Sequence, residues 1–385
     1  MKTTLSSQVR RTLNYIADQI NDLPVSAPLP PVWEIRKALG VSQLSVQKAC
    51  DLLENQGKIV RKPRKGIFVS DHTQNGDFAI VVLPELLGPT ASPYYALACN
   101  ALVERIHGHR PNCDVKMHFG KVASPNSLFQ PPTDLTVPTV AAKLRGVFSF
   151  HPLHEIGDVA QSLKRSGIPT IMLKEMGSAE ADYSVAFDKG GAIQKYMAAL
   201  AQSGCRSVGV LGIVSFEKDG GFALHAPLVK AAREAGLEIR QEWMPVSTGV
   251  TVTTDKIGYE HFLQLWKQTE KPDGIVVLDD VACRGVLRGC LQFGVDLPGD
   301  IQLVTHANRH VELPYHKPIT RVEFDTDEQA YHAVDLAIKF LRGQASPEKH
   351  ILLSGKLIQG ETTQTLKVRF KSKDEQAYTG NFNLF

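Results

Sequence analysis

The residues whose types and spacing suggest chemistry most clearly lie between positions 29 and 69. Gln43, Gln47 and Lys48, with Ser42 and Ser45, fall on two turns of one helical stretch, and Arg61, Lys62, Arg64 and Lys65 crowd around Pro63 and Gly66. A glutamine amide carries a donor and an acceptor side by side and suits the adenine edge in a major groove. Lysine and arginine answer phosphate whatever the base sequence. Together these groups would recognise a duplex.

The elements that must position them are legible. Val32, Ile35 and Leu39 recur at helical spacing and predict a first amphipathic helix, which runs into Gly40-Val41-Ser42, where glycine supplies a sharp turn and serine can cap the next helix. A second helix is predicted over 43–56, with Val46, Ala49, Cys50 and Leu53 on its buried stripe and Gly57 at its end. The β-prone pieces Lys58–Arg61 and Gly66–Ser70 flank the basic turn and predict a hairpin. The competing use of such a winged helix is protein contact. Charge argues against it: residues 1–76 hold eleven Lys and Arg against six Asp and Glu, while the remainder holds 32 against 34.

The run Leu29-Pro30, Leu39-Gly40-Val41-Ser42, Ser45-Val46, Ala49, Leu52, Gly57, Gly66 and Phe68-Val69 resembles the GntR-type winged helix-turn-helix. The resemblance implies a DNA-binding set of Ser42, Gln43, Ser45, Gln47, Lys48, Arg61, Lys62, Arg64, Lys65 and Gly66. It breaks where DNA is read. Pro31-Val32-Trp33 replaces the usual polar opening of the first helix, and Gln43 and Gln47 stand where arginines are common. An operator typical of the family is therefore not expected.

With 385 residues and 43% hydrophobic composition, the chain is long enough for more than one core. Its first nineteen residues mix Lys2, Arg10 and Arg11 with Leu5, Val9, Leu13 and Ile16, which lacks the apolar core of a signal peptide, and no later run approaches a membrane span. The expected location is the cytoplasm. Cys50, Cys99, Cys113, Cys205, Cys283 and Cys290 lack Cys-x-x-Cys spacing and read as buried free thiols. Polar residues 71–77 read as a linker, so the head is expected over 1–70.

From Phe78 onward strands and helices alternate. Strands are predicted at 78–84, 115–119, 146–150 and 168–173, with helices at 94–107 and 155–166. A second series starting near Ser184 has helices at 190–203, 226–235, 257–269 and 281–293 and strands at 208–212, 274–278 and 301–305. The expected fold class is α/β: a winged helix-turn-helix followed by a bilobed effector domain of two doubly wound parallel sheets, with ligand at the carboxyl ends of their strands. Lobe 1 is placed at about 78–184 and 322–345, lobe 2 at about 185–321 and 346–365, and a tail at 366–385.

Several landmarks in this region resemble the LacI/GalR effector domain, itself similar to type I periplasmic binding proteins. They include Ser92-Pro93-Tyr94-Tyr95, Val185-Ala186-Phe187-Asp188, Pro272-Asp273-Gly274-Ile275, Leu278-Asp279-Asp280 and Pro318-Ile319-Thr320. The resemblance implies that Asp280 holds ligand hydroxyls, and its place ahead of a helix also allows an N-cap, a role that does not exclude the first. Asp188 has the same two readings. Tyr94, Tyr95 and Phe150 either stack on a sugar or pack beneath the site. Thr305-His306-Ala307-Asn308 replaces the usual Gly-Phe-Asp-Asp, Phe324 beside Asp325 replaces a customary polar residue, and Leu224-His225 stands where an arginine is common. Asn308, Phe324 and Asp325 complete the implied effector set.

Pairs such as His151/His154 and His306/His310 bring too few ligands for a metal, no G-x-S-x-G, P-loop or G-x-G-x-x-G occurs, and no cofactor is implied. The expected function is that of a dimeric transcriptional regulator and not an enzyme: a repressor of a carbohydrate-utilisation operon, released from double-stranded operator DNA by a sugar. The alternative is an activator or sensor of the same fold answering a non-sugar ligand such as a purine or sugar phosphate.

Overall fold

The computed structural model describes residues 6–23, 26–55, 58–70, 76–110, 113–122, 129–130, 132–141, 143–151, 162–164, 166–173, 183–215, 225–248, 253–344, 346 and 348–364. The tail at 366–385, Gly57 and most of the helix expected at 155–166 lie outside them.

The head begins with α1 (Ser7–Asp22), whose Val9 and Ile16 enter its core. Helix α2 (Val32–Leu39) starts after Pro31 and stops at Gly40, which has φ +62° and donates its N–H to Arg36 O at 2.9 Å. Only a residue without Cβ turns there cheaply. Helix α3 (Gln43–Asn55) buries Val46, Ala49, Cys50 and Leu53, the predicted stripe. Strands β1 (Ile59–Lys62) and β2 (Gly66–Val69) form the antiparallel hairpin with Ile59 opposite Val69 and Lys62 opposite Gly66. Backbone bonds from Ser26 N to Val69 O (3.0 Å) and from Leu29 N to Ile67 O (2.9 Å) tie residues 26–29 to β2.

The first α/β sheet contains β3 (Asp77–Val82), β4 (Val115–Phe119), β7 (Leu144–Ser149), β8 (Thr170–Met172), β9 (Tyr183–Phe187) and β17 (His350–Leu353), in the order β17-β9-β8-β7-β3-β4, all parallel. Short β5 (Lys121–Val122) and β6 (Phe129–Gln130) pair beside one-turn α5 (Pro138–Ala141) in the chain. Helices α4 (Tyr94–His109) and α10 (Thr326–Leu341) pack on one another.

The second sheet runs β12-β10-β14-β15-β16-β18, built from β10 (Ser207–Leu211), β12 (Glu238–Ile239), β14 (Gly274–Val277), β15 (Gln302–Asn308), β16 (Thr320–Phe324) and antiparallel β18 (Lys356–Ile358). A separate parallel pair joins β11 (Ile213–Ser215) to β13 (Val246–Thr248). The helices are α6 (Lys189–Gln202), α7 (His225–Glu234), α8 (Asp255–Trp266) and α9 (Asp280–Phe293). The last two pack closely through glycine: a Cβ at Gly258 would stand 1.9 Å from Ala282 O, and one at Gly285 1.8 Å from Asp255 O.

The chain divides into two compact units, Met1–Pro89 with Pro93–Phe187 and Asp325–Leu353, and Thr90–Ser92 with Asp188–Phe324 and Ser354–Phe385. This corrects the expected lobe boundaries. A break at 184/185 would cut β9, one at 321/322 would cut β16, and one at 345/346 would give β17 to the wrong sheet, although it pairs with β9. Strands buried on both faces keep their ladders whole, so crossings fall at strand ends. The expected linker is also shorter by its last residue, since Asp77 already donates to Lys143 O and opens β3.

Candidate functional site

In the head, α3 presents Gln43, Leu44, Gln47 and Lys48 to solvent opposite its buried stripe. Ser45 is different. It is 7% exposed, its N–H and hydroxyl meet Ser42 Oγ at 3.1 and 2.9 Å, and its hydroxyl donates to Gln8 Oε1 at 3.1 Å. The expectation that Ser45 touches DNA is therefore corrected: it fixes the first turn of α3 against α1, and Gln8 was missed because that partner lies 37 residues upstream.

The hairpin needs a similar correction. Arg61 is bound inside the head, with Nη2 2.7 Å from Asp51 and Nε 2.7 Å from Glu54, and its own N–H on Glu54 Oε1 at 3.0 Å. The guanidinium holds the Glu54 carboxyl below the usual range, and the carboxylates hold Arg61 protonated. Its charge is compensated by α3, a pairing on the polar face that apolar periodicity does not reveal. Lys62, Arg64, Lys65 and Gly66 remain exposed at the tip. Lys62 Nζ lies 5.0 Å over the Phe68 ring, Lys65 N bonds Lys62 O, and Arg64 takes φ +62°.

In the second unit the two candidate roles of the aspartate pair separate. Asp279 caps α9, its Oδ1 accepting Val281 N at 2.9 Å and Ala282 N at 3.3 Å. Asp280, fully buried, accepts Ser92 Oγ on Oδ1 and Asn308 Nδ2 on Oδ2, each at 2.9 Å. The cap reading of Asp280 is thus corrected in favour of its neighbour. Asp280 follows the carboxyl end of β14 by three residues, and Asn308 is the last residue of β15. His306 stacks near Phe324 with ring centroids 5.2 Å apart, and its imidazole is held below the usual range by burial, against the pull of Asp280 and with the push of Lys189. Asn308 Oδ1 is buried without a well-formed hydrogen bond, and the amide borders His306. A buried carboxylate in such a setting can accept strong, charge-assisted bonds from hydroxyl donors. Ser92 and Lys189 were missed as members of this cluster because they come from separate segments, and His306 because only Asn308 of its run was assigned to the ligand.

Phe324 is 2% exposed and lies under His306, so it supports the cluster without offering a face of its own. Asp188 caps α6 through Gly191 N at 2.8 Å, and Asp325 caps α10 through Asp327 N and Glu328 N at 2.9 and 3.3 Å. Each of these two carboxylates follows the last residue of a strand at a crossing between units. Both carboxylates thus serve as helix caps.

In the first unit Tyr94, Tyr95 and Phe150 meet, with Phe187 as a fourth ring. Centroid separations are 5.0 Å for Tyr94–Tyr95, 5.9 Å for Tyr94–Phe150, 5.6 Å for Tyr95–Phe150 and 5.7 Å for Tyr94–Phe187, all near edge-to-face. Phe150 is 0% exposed, which corrects its role from stacking surface to packing. Tyr94 Oη bonds Gln329 Oε1 at 2.9 Å, and Gln329 Nε2 donates to Leu173 O and Val185 O at 2.5 and 2.9 Å. Burial drives the Tyr94 phenol well above its ordinary range. Gln329 ties α10 to the end of β8 and the middle of β9, a role its lone position in a helical pattern did not signal.

Among the described residues, no three His, Cys, Asp or Glu side chains gather as a metal site, and no helix is long and apolar enough to cross a membrane. All six cysteines are buried free thiols, and burial pushes Cys50 up to about 11 and Cys99 up to about 12.

Residues 10–69 match the profile of bacterial regulatory proteins of the gntR family, and residues 197–363 match that of a periplasmic binding protein-like domain. The chain thus carries a gntR-type head at 10–69 and a periplasmic binding protein-like region at 197–363. This fusion is similar along most of its length to the arabinose metabolism transcriptional repressor of Halalkalibacterium halodurans, with 21% identity over 87% of this chain and 90% of that one. It is 27% identical to the HTH-type transcriptional repressor PurR of Glaesserella parasuis over 37% of this chain, an alignment spanning 42% of that relative. The chain covers less than half the length of several such relatives. Among solved structures, the fusion is similar in fold to a LacI family transcriptional regulator from Arthrobacter sp. FB24 in complex with lactose (TM-score 0.59, 18% identity, 75% of this chain and 100% of that one). It is likewise similar to transcription regulator CcpA of Lactococcus lactis (TM-score 0.58, 16% identity, 75% and 100%).

Proposed function

We propose that the chain is a ligand-responsive transcriptional repressor of a carbohydrate-utilisation operon, released from its operator by a hydroxylated effector. The observation that carries this reading is the head, in which α3 turns Gln43, Gln47 and Lys48 outward from a buried stripe and the hairpin exposes Lys62, Arg64 and Lys65 at its tip. Amides would read base edges and cations would meet phosphates. Asp280 would grip ligand hydroxyls, with Asn308 and Ser92 orienting it. Relatives named as repressors of arabinose metabolism and of a sucrose operon support a sugar effector.

The Lys189 ammonium, whose charge reaches His306, favours a second reading, in which the effector carries an anionic group, as a sugar phosphate does. A homodimer would place two heads on a pseudo-palindrome. Exposed Met117 and Phe119 on edge strand β4, 40% and 47% accessible, suit a self-association surface. A regulator of this kind would work in the cytoplasm. Thermal-shift screening of the full chain with monosaccharides, disaccharides and sugar phosphates tests the effector class, because a ligand that binds only the folded state raises its apparent stability. A rise with neutral sugars supports the first reading, and one with phosphorylated ligands alone the second. No shift with either class would overturn the effector assignment.

A further inference from the structure

Leu44 does not match its surroundings. It is 60% exposed on the first turn of α3, among exposed Gln43, Gln47 and Lys48. The core stripe of the helix is formed by Val46, Ala49, Cys50 and Leu53, so Leu44 is not needed to hold α3 in place. Residues three and four apart share a helix face, which groups Leu44 with Gln47 and Lys48. The turn that carries it is fixed from beneath by Ser45, through Ser42 Oγ at 2.9 Å and Gln8 Oε1 at 3.1 Å. An apolar side chain is therefore held out to water on a rigid platform, inside the surface assigned above to DNA.

In the major groove the apolar group on a base edge is the C5-methyl of thymine. Glutamine amides suit adenine, the partner of thymine, so the two amides and the leucine all select the same kind of base pair. We propose that Leu44 is a specificity-determining residue that packs on a thymine methyl, and that Gln43, Leu44 and Gln47 together direct the head to half-sites containing A·T pairs. The inference rests on the DNA-reading function proposed above.

The test uses the full chain and a duplex that the wild-type protein selects from a random library. Each thymine of one half-site is replaced singly by deoxyuridine, which removes the methyl and leaves every hydrogen-bonding group in place. At one position wild-type affinity should fall about fourfold, the worth of one buried methyl-sized group. Leu44→Ala should lose at least as much on the thymine duplex and nothing further on the deoxyuridine duplex. Because the methyl is removed from the DNA, this arm does not depend on how the variant folds.

Indifference of the wild type to every deoxyuridine, or an equal penalty in Leu44→Ala, would overturn the role of Leu44 while leaving DNA binding intact. Selection of half-sites without A·T pairs would do the same. Failure to select any duplex would overturn the DNA-reading function and this inference with it.

Discussion

Asp279 and Asp280 are neighbours in sequence with separate tasks: Asp279 accepts the Val281 and Ala282 amides, and Asp280 accepts Ser92 Oγ and Asn308 Nδ2. The first closes a helix end, and the second keeps a carboxylate at the strand ends. The division predicts different failures. Asp279→Ala should cost about 0.5–2 kcal/mol of stability, the range for a lost N-cap, and leave effector affinity unchanged. Asp280→Asn should weaken effector binding by about 1.5–3 kcal/mol, the range for a hydrogen bond to a charged group. Chemical denaturation and calorimetric titration on both variants measure the two quantities. Equal loss of effector affinity in both would show that the pair works as one unit.

The ion pairs of Arg61 separate the wing cations by task. Neutralising Lys62 and Arg64 together should flatten the dependence of log affinity on log salt by about 2, roughly one released counterion per phosphate contact. Arg61→Ala should leave that slope nearly unchanged and lower head stability instead, since it frees Asp51 and Glu54 from their cation. DNA titrations across a salt series check both. A slope change in Arg61→Ala as large as in the double variant would return Arg61 to the phosphate-binding set.

His261 gives the protein an acid limit. Its Nδ1 accepts Gly212 N at 3.2 Å, its Nε2 lies 2.9 Å from Ser247 Oγ, and burial lowers its pKa to about 4. The bond from Gly212 requires an unprotonated Nδ1, so the folded chain holds the neutral ring. An unfolded histidine takes its proton near pH 6.5 and therefore binds more protons than the folded one between about 6.5 and 4. Stability should fall as pH drops through that window, by roughly 3 kcal/mol at most from this residue, and level off below it. Urea unfolding of wild type and His261→Gln from pH 7 to pH 4 tests this, with a shallower fall expected in the variant. Parallel curves would assign the acid loss to other groups.

Much of this is legible in the chain because it depends on short-range pattern. The stripe Val46, Ala49, Cys50 and Leu53, the left-handed turn at Gly40 and strand Val115–Phe119 each arise from spacing within a few residues. What escapes depends on distant partners. Nothing local distinguishes Asp279 from Asp280, and the difference arises from Ser92, 188 residues upstream of Asp280. Ser45 reads as exposed because serine is polar, yet Gln8 gives it a buried partner. Arg61 resembles its basic neighbours until α3 supplies two carboxylates. Asp188 is recognisable as a cap from the helix that follows it, whereas the cap role of Asp325, which the family resemblance names only as a ligand group, emerges from its bonds to Asp327 N and Glu328 N.

The proposed function requires one chain to couple a duplex-reading head to a carboxylate-centred effector site. It is tested most directly by fluorescence anisotropy of the full chain on its selected duplex, with and without the effector identified by thermal shift, for wild type and Asp280→Asn. Wild-type affinity should drop at least about tenfold when effector is added, a coupling within the usual range of about 1–3 kcal/mol. Asp280→Asn should bind the duplex as tightly as wild type and respond only at much higher effector concentration. Duplex affinity that effector leaves unchanged in the wild type, or an Asp280→Asn protein released at the same effector concentration, would contradict the account.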